Sequence, residues 1–146
     1  MSGGLSMKTS RKLSGGRHYP LGAALSAEGV NFALYSQQAR EVYLLLFDSP
    51  EVEPTDVIKL EERDKFVWHV FVHGVKAGQL YGYRVRGDFQ PALGLRFNEN
   101  KLLIDPYARA LTSKFRNEDH LLLGYDAAAP ERDLSFDGRD SAACVP

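Results

Sequence analysis

This sequence of 146 residues has only one cysteine, no long apolar run and no excess of charge of either sign. Cys144 is the single cysteine, which excludes an internal disulfide and fits a reducing, cytoplasmic location. No stretch approaches the ~20 apolar residues of a membrane-spanning helix, and the N-terminus lacks the apolar core of a signal peptide. Lys and Arg number 18 against 19 Asp and Glu, so the basic excess of a nucleic-acid-binding protein is absent. We therefore expect a cytoplasmic globular protein with neither a membrane nor a nucleic acid as partner.

Motifs for catalysis, cofactors and metals are missing as well. No G-x-S-x-G, phosphate-binding loop or dinucleotide fingerprint occurs. His69 and His73 lie on and just beyond a predicted strand, about 13 Å apart, which is too far for both to bind one zinc ion. Four acidic residues near the C-terminus alternate with arginines in a loop bounded by Gly and Pro, and a solvated loop is the favoured interpretation for Glu131, Asp133, Asp137 and Asp140. The sequence predicts no catalytic residue, no cofactor and no metal.

What the sequence does contain is a series of short β-favouring runs separated by turn residues. Five runs are predicted as strands, and a short sixth is expected over residues 101–104. The five cover Gly29–Tyr35, Glu41–Phe47, residues 56–60, residues 66–72 and Leu80–Arg86. No window before residue 105 shows the 3.6-residue period of a helix. Short strands at this spacing predict an all-β fold, an immunoglobulin-like antiparallel β-sandwich.

Two flanking segments lack this pattern. Residues 1–17 are rich in Gly and Ser without apolar periodicity, so we expect a disordered N-terminal arm. Residues 107–146 have no sustained period either and form an irregular C-terminal extension, which is typical of a functional loop or an interdomain connection. The expected organisation is an arm over 1–17, a sandwich over 18–106, and a linker over 107–146 that leads toward a further domain.

One predicted strand is apolar on both faces. In Glu41–Phe47 the two faces carry Val42, Leu44 and Leu46, and Tyr43, Leu45 and Phe47. A sandwich strand with a solvated outer face should instead alternate apolar with polar residues. Either a neighbouring segment of the chain covers the outer face, or another domain or a second copy in a homodimer packs on it. The pattern leaves these alternatives open.

Aromatic side chains are the remaining candidates for a binding site, because flat apolar rings can stack on sugars or partner side chains. Phe89 follows the end of its strand, beside Gly87 and Pro91, and is the ring that we expect to be exposed. Trp68, Tyr81 and Tyr83 lie at core-facing positions, and core packing is the favoured interpretation for them. The candidate substrate-binding set is Phe89, Tyr83 and Tyr81.

Four blocks of the sequence resemble one enzyme family in unbroken order. HYPLGAALSAEGVNFALYSQQAREVYLLLFD at residues 18–48 resembles the opening of bacterial glycogen debranching enzymes and isoamylases. WHVFVHGVKAGQLYGYRVRG at residues 68–87 and GLRFNENKLLIDPYARAL at residues 94–111 resemble the blocks that follow. DLSFDGRDSAACVP at residues 133–146 is similar to the stretch just before the catalytic barrel of those enzymes.

The resemblance implies a carbohydrate-binding module of family 48, an immunoglobulin-like sandwich that precedes a glycoside hydrolase family 13 barrel. Enzymes of this family cleave α-1,6 branch linkages of glycogen or limit dextrins with carboxylates that belong to the barrel. This chain alone is therefore expected to be inactive, to pack on the barrel and to shape its glucan cleft. Two alternatives remain open: an autonomous, weak α-glucan-binding module, and a structural or self-associating domain without a glucan role.

The departures from the family pattern imply weak or absent glucan binding by the isolated chain. Glycogen-binding members use two tryptophans and a lysine, and the resemblance puts Gly82 in place of the lysine and Phe89 in place of the second tryptophan. The first tryptophan would fall at residues 49–51, which hold no aromatic residue. Losing the cation and one stacking platform would each remove about 1 kcal/mol or more of binding free energy.

Overall fold

A computed structural model describes residues 6–49 and 53–110 of the chain. These residues form ten β-strands, with a 3₁₀ turn at Pro91–Leu93. The strands are β1 (Leu13–Ser14), β2 (Gly22–Leu25), β3 (Gly29–Tyr35), β4 (Glu41–Phe47), β5 (Asp56–Lys59), β6 (Glu62–Asp64), β7 (Val67–His73), β8 (Leu80–Arg86), β9 (Phe89–Gln90) and β10 (Leu95–Arg96). No helix in the described part of the chain is long and apolar enough to cross a membrane.

The strands form two main antiparallel sheets. In the first sheet, β1 and β6 lie along the same side of β7, and β3 and β2 follow on its other side. The second sheet has the order β5-β4-β8. Strands β9 and β10 form a separate two-stranded ribbon after β8. This arrangement confirms the all-β antiparallel sandwich that the alternating pattern predicts.

Alternate residues of the long strands fill one apolar core between the sheets. Strand β4 contributes three completely buried side chains, because every second residue of a strand points to the same face. Strands β3, β7 and β8 supply the opposing side chains. The core includes Val42, Leu44, Leu46, Phe32, Trp68, Val70, Val72, Tyr83 and Val85. Burial of such apolar surface stabilises the fold by roughly 25 cal/mol per Å².

The outer face of β4 is covered by a later segment of the same chain. Tyr43, Leu45 and Phe47 form a second buried cluster with Val57 and Leu102. Of the alternatives that the sequence left open, the structure therefore shows the one in which a segment of the same chain covers this face. The face that pointed to a homodimer or to another domain is therefore already occupied in the monomer.

The covering segment is attached to β8 at one residue. The backbone N–H of Leu103 donates to the Tyr83 carbonyl at 2.7 Å, and the Tyr83 N–H donates to the Leu103 carbonyl at 2.9 Å. The sixth strand predicted over residues 101–104 is thus a single bridge residue rather than a strand. The bridge places Leu102 on the outer face of the sheet.

The N-terminal segment is anchored on both sheets. Lys8 and Val57 of β5 exchange two backbone hydrogen bonds of 2.8 and 2.7 Å. Farther along, Leu13 of β1 pairs with Val72 of β7. The expected disorder of residues 1–17 does not hold for this part, because backbone pairing holds a segment that has no apolar period. Residues 1–5 lie outside the described residues.

A buried carboxylate adds to this anchoring. Asp56 accepts hydrogen bonds from the hydroxyls of Thr9 at 2.7 Å and Thr55 at 3.0 Å, and from Arg11 Nε at 3.3 Å. Burial alone would raise the pKa of Asp56, but these three hydrogen bonds outweigh burial and lower the pKa. The charged carboxylate therefore ties the N-terminal segment to the start of β5.

A close glycine contact completes the attachment. Gly16 has a φ of +75°, and a Cβ at this position would lie 2.6 Å from Asn31 Oδ1. This approach lets Asn31 Nδ2 donate to the Arg17 carbonyl at 3.0 Å, while Asn31 Oδ1 accepts from the Arg17 N–H at 2.7 Å. Only glycine combines this φ with this contact without strain.

Candidate functional site

His69 and His73, whose spacing was considered for a metal site, instead form hydrogen bonds with the N-terminal segment. His69 Nδ1 donates to the carbonyl of Gly15, and His73 Nε2 shares a hydrogen bond of 2.6 Å with Ser14 Oγ. Within residues 6–49 and 53–110, no three His, Cys, Asp or Glu side chains are arranged to hold a metal ion. Cys144 and the acidic residues predicted in a C-terminal loop, Glu131, Asp133, Asp137 and Asp140, lie outside the described residues.

Tyr83 is a core residue, and its proposed role as a substrate-binding residue is wrong on structural grounds. Its side chain is 0% exposed and packs in the core cluster between the sheets. Burial raises the pKa of its phenol well above the ordinary range, and its hydroxyl has no hydrogen-bond partner among the residues that the structure describes. A ring with no exposed surface cannot stack on a sugar.

Tyr81 is half-buried and acts as a link between the core and residue 105. Its ring contacts Phe32 edge-on, with 5.1 Å between centroids, and Tyr83 at 6.0 Å. Its hydroxyl donates to Asp105 Oδ2 at 2.7 Å. Burial, followed by this hydrogen bond, raises the pKa of Tyr81 far above its usual value, so the phenol remains a donor at physiological pH.

Phe89 lies apart from the two tyrosines, on the ribbon formed by β9 and β10. It pairs with Arg96 across the ribbon and is half-buried. The exposure predicted for Phe89 is therefore only partial, whereas Tyr19, Tyr107 and Tyr35 are 74%, 60% and 56% exposed. The structure brings Tyr81 and Tyr83 together but does not place Phe89 with them.

The position that corresponds to the family's lysine is closed by Leu102. A Cβ at Gly82 would lie 2.8 Å from Leu102 Cδ1 and 3.0 Å from its Cγ, which is closer than real side chains approach. A long cationic side chain could not occupy this position unless Leu102 moved. Of the residues 49–51 that correspond to the family's first tryptophan, only Ser49 is described. The outer face at Gly82 therefore offers no open surface to a sugar.

An open groove of about 320 Å³ lies beside Tyr81, at the place where the described chain ends. We call it the exit groove, and its walls come from β2, β3, the turn before β8, β8 and residues 107–110. Leu25 and Tyr107, at 54% and 60% exposed, are two of its lining residues. The buried ring of Phe32 and the half-buried ring of Tyr81 also line it. Sequence patterns missed this site because its residues come from four separate segments of the chain.

Asp105 fixes one wall of the exit groove. The residue is only 3% exposed. Its carboxylate accepts one hydrogen bond from the Tyr81 hydroxyl and another from the Tyr107 N–H at 2.8 Å. The Ala108 N–H donates to the Asp105 carbonyl at 3.0 Å. Gly22 of β2 makes room for this turn, since an added Cβ would lie 2.9 Å from Tyr107 Cβ. Residues 105–108 are thus held in one path over the sheet.

The chain is similar to known proteins over most of its length. It matches the family model described as carbohydrate-binding module 48 (isoamylase N-terminal domain) over residues 20–108. It is 44% identical over 135 residues to the glycogen debranching enzyme of Serratia proteamaculans (strain 568), covering 92% of this chain and 19% of the relative. It is 42% identical over 118 residues to the glycogen operon protein GlgX homolog of Mycobacterium bovis, covering 81% and 16%. The chain spans about one fifth of the length of these relatives.

Two solved structures share the fold. The pullulanase from Paenibacillus barengoltzii, in complex with maltohexaose and alpha-cyclodextrin, has a TM-score of 0.53 and 26% identity, covering 64% of this chain and 13% of that chain. The pullulanase from Bacillus acidopullulyticus has a TM-score of 0.54 and 26% identity, covering 64% and 10%. Because the family model matches more than half of the sequence and the sandwich is shared with these modular enzymes, the chain belongs to carbohydrate-binding module family 48, the isoamylase N-terminal domain family.

Proposed function

We propose that this chain is the non-catalytic N-terminal module of a glycogen debranching enzyme of the isoamylase type, and that it packs on the catalytic domain and shapes the glucan cleft. The contact between Leu102 and Gly82 is the observation that carries this proposal. It occupies the outer sheet face with the protein's own side chain, which disfavours a primary role in glucan capture. Because the outer sheet face at Gly82 is filled, we expect the module to affect glucan cleavage mainly through its contact with the catalytic domain.

In such an enzyme, the groups that catalyse hydrolysis lie outside this module. A carbohydrate-binding module supplies no catalytic groups, and this chain matches about one fifth of the debranching relatives. The proposal assigns cleavage of α-1,6 linkages to the domain that follows. The single cysteine supports a reducing, cytoplasmic location for the protein.

The first test removes the module from a complete enzyme. In the Serratia proteamaculans enzyme, the matching 135 residues are either deleted or replaced by this chain. We expect the replacement to retain debranching of limit dextrin and the deletion to lower kcat/KM about tenfold or more, because a misplaced cleft wall weakens transition-state contacts. Equal kcat/KM and equal melting temperature for the deleted and the intact enzyme would contradict the proposal.

A second test asks whether the isolated chain binds glucan. The isotope-labelled chain is titrated with maltoheptaose and then with a branched limit dextrin, and amide NMR shifts are followed. We expect no saturable shifts at millimolar sugar and no release of reducing ends from branched glucan. Saturable shifts would favour the autonomous binding module instead.

Autonomous α-glucan binding remains the second candidate because of one observation. Phe89 is half-buried on a ribbon whose connecting turn exposes 72% of Leu93, so an apolar surface exists outside the covered sheet face. Phe89→Ala should abolish any sugar-induced shifts if this candidate is correct. The self-association alternative loses its support, because the outer face of β4 is filled by Leu102.

A further inference from the structure

The exposed apolar side chains of the described residues include two groups whose members lie together. One is the exit groove, with Leu25 and Tyr107. The other is a pair formed by Tyr35 and Phe66, whose ring centroids lie 6.1 Å apart, on the β3 and β7 side of the first sheet. The pair is a surface feature, whereas the groove is concave and within the size range of ordinary binding pockets, about 300–1,000 Å³.

The exit groove is continuous with the path of the chain. Arg109 and Ala110 line it, so the peptide bond to residue 111 begins at its wall. The family is described as an N-terminal domain, so the remainder of a debranching enzyme follows this wall in sequence. A tethered neighbour is present at a millimolar effective concentration, which allows a small groove to be occupied without strong intrinsic affinity.

The lining of the groove defines the chemistry of its occupant. Most lining residues are apolar, and Lys76 and Arg109 are its two charged members, both cationic. An apolar side chain would fill the space over Phe32 and Tyr81, and a carboxylate beside it would complement the two cations. The wall is also preorganised, because Asp105 fixes the turn that carries Tyr107, which lowers the ordering cost of docking.

We infer that the exit groove is the surface on which the following catalytic domain docks, and that it receives an apolar side chain flanked by a carboxylate. This inference rests on the proposed function, since it names the place of contact between the two domains. It assigns Leu25 and Tyr107 to an interdomain interface rather than to a sugar-binding site.

Hydrogen–deuterium exchange maps the docking surface directly. Exchange is compared between this chain alone and the same chain placed in the Serratia proteamaculans enzyme in place of the matching segment. We expect amides of residues 23–25, 76–81 and 107–110 to exchange on the order of tenfold more slowly in the complete enzyme, because the contact suppresses local opening. Residues around Tyr35 and Phe66 should show no change.

A matched pair of charge substitutions tests the same surface. Leu25→Glu places a carboxylate in the groove, whereas Leu93→Glu places one on a surface residue that is 72% exposed and does not line the groove. Both variants should leave the unfolding midpoint of the isolated chain unchanged, since both positions are exposed. In the complete enzyme, Leu25→Glu should lower the melting temperature and restore fast exchange, and Leu93→Glu should do neither.

The outcomes separate this inference from the proposed function. If no part of the module gains protection in the complete enzyme, the module does not dock and the proposed function fails together with the inference. If protection appears around Tyr35 and Phe66 while the groove stays unprotected, the docking surface is elsewhere and only the inference is overturned. If Leu25→Glu and Leu93→Glu act alike in the complete enzyme, the groove is not the contact.

Discussion

Leu102 lies against the backbone of Gly82, so close that a methyl group on Gly82 would stand 2.8 Å from Leu102 Cδ1. The contact joins a residue of β8 to a segment 20 residues later in the sequence. It explains why the second sheet can carry apolar residues on both faces. The outer face of this sheet is an internal surface of the monomer.

The first prediction concerns this contact. Gly82→Ala should lower the free energy of unfolding by about 1–3 kcal/mol, because the added methyl group overpacks the site. Leu102→Ala should remove most of that penalty in the double variant, since the side chain that is crowded is then absent. Urea denaturation of the four proteins measures the coupling. Leu103, which is 45% exposed, is the matched control, and Leu103→Ala should not couple to Gly82→Ala.

The second prediction compares the same substitution at two tyrosines. Tyr83→Phe should leave stability unchanged or raise it by up to about 1 kcal/mol, because it removes a buried hydroxyl that lacks a partner among the described residues. Tyr81→Phe should cost about 1.5–3 kcal/mol, because the buried Asp105 carboxylate loses a donor. Thermal and urea unfolding measure both. Equal effects of the two substitutions would contradict the hydrogen-bond assignment.

Much of the fold could be predicted from the sequence, and the misses have physical causes. The bounds of β3, β4 and β8 agree with the prediction, because long alternating runs end at clear turn residues. Strands such as β1 and β6 span only two or three residues, too few to show a period. The N-terminal segment was predicted to be disordered because it has no apolar periodicity. The close contact of Gly16 and the backbone hydrogen bonds that hold the segment leave no hydrophobic pattern in the sequence.

The candidate site was less predictable than the fold. Alternation correctly favoured a core position for Tyr83, and its inclusion among substrate-binding residues is what the structure overturns. The predicted exposure of Phe89 ignored the ribbon that β10 forms with β9, which half-buries the ring. The exit groove depends on the path of residues 105–110 over β2, and a tertiary path of this kind cannot be derived from local periodicity.

The third prediction is a dependence of stability on pH. The folded pKa of Asp56 is lower than its unfolded value of about 3.9, so its contribution to stability is present at higher pH and is lost as the pH falls through the folded pKa. Asp56→Asn should therefore cost roughly 1–3 kcal/mol at neutral pH, and its cost should shrink progressively as the pH falls below about 3.9 and through the lower folded pKa. Urea unfolding at a series of pH values measures the difference.

The control for this experiment is an exposed carboxylate. Asp48 follows the end of β4 and is exposed, so Asp48→Asn should change stability by less than about 0.5 kcal/mol at either pH. If Asp56→Asn behaves like Asp48→Asn, the hydrogen bonds from Thr9 and Arg11 do not stabilise the fold.

The fourth prediction concerns the single tryptophan. Trp68 is 7% exposed, donates from Nε1 to the Ser36 carbonyl at 3.2 Å, and has the Arg63 guanidinium 5.1 Å from its ring. Trp68→Ala should cost about 3–5 kcal/mol, whereas Tyr35→Ala, at a ring that is 56% exposed, should cost much less. A cost below ~1 kcal/mol for Trp68→Ala would remove Trp68 from the core and make it a candidate sugar platform.

The attachment of the N-terminal segment has a practical consequence for truncation. The family match begins at residue 20, but Lys8 and Leu13 pair with the outermost strand of one sheet and with β7 of the other. A protein trimmed to the family boundary would expose unpaired backbone along β5 and along the end of β7. Open strand edges of this kind recruit other chains and promote aggregation. A version of this module with both strand edges covered must therefore keep at least the twelve residues from Lys8 through Tyr19 that the family match omits.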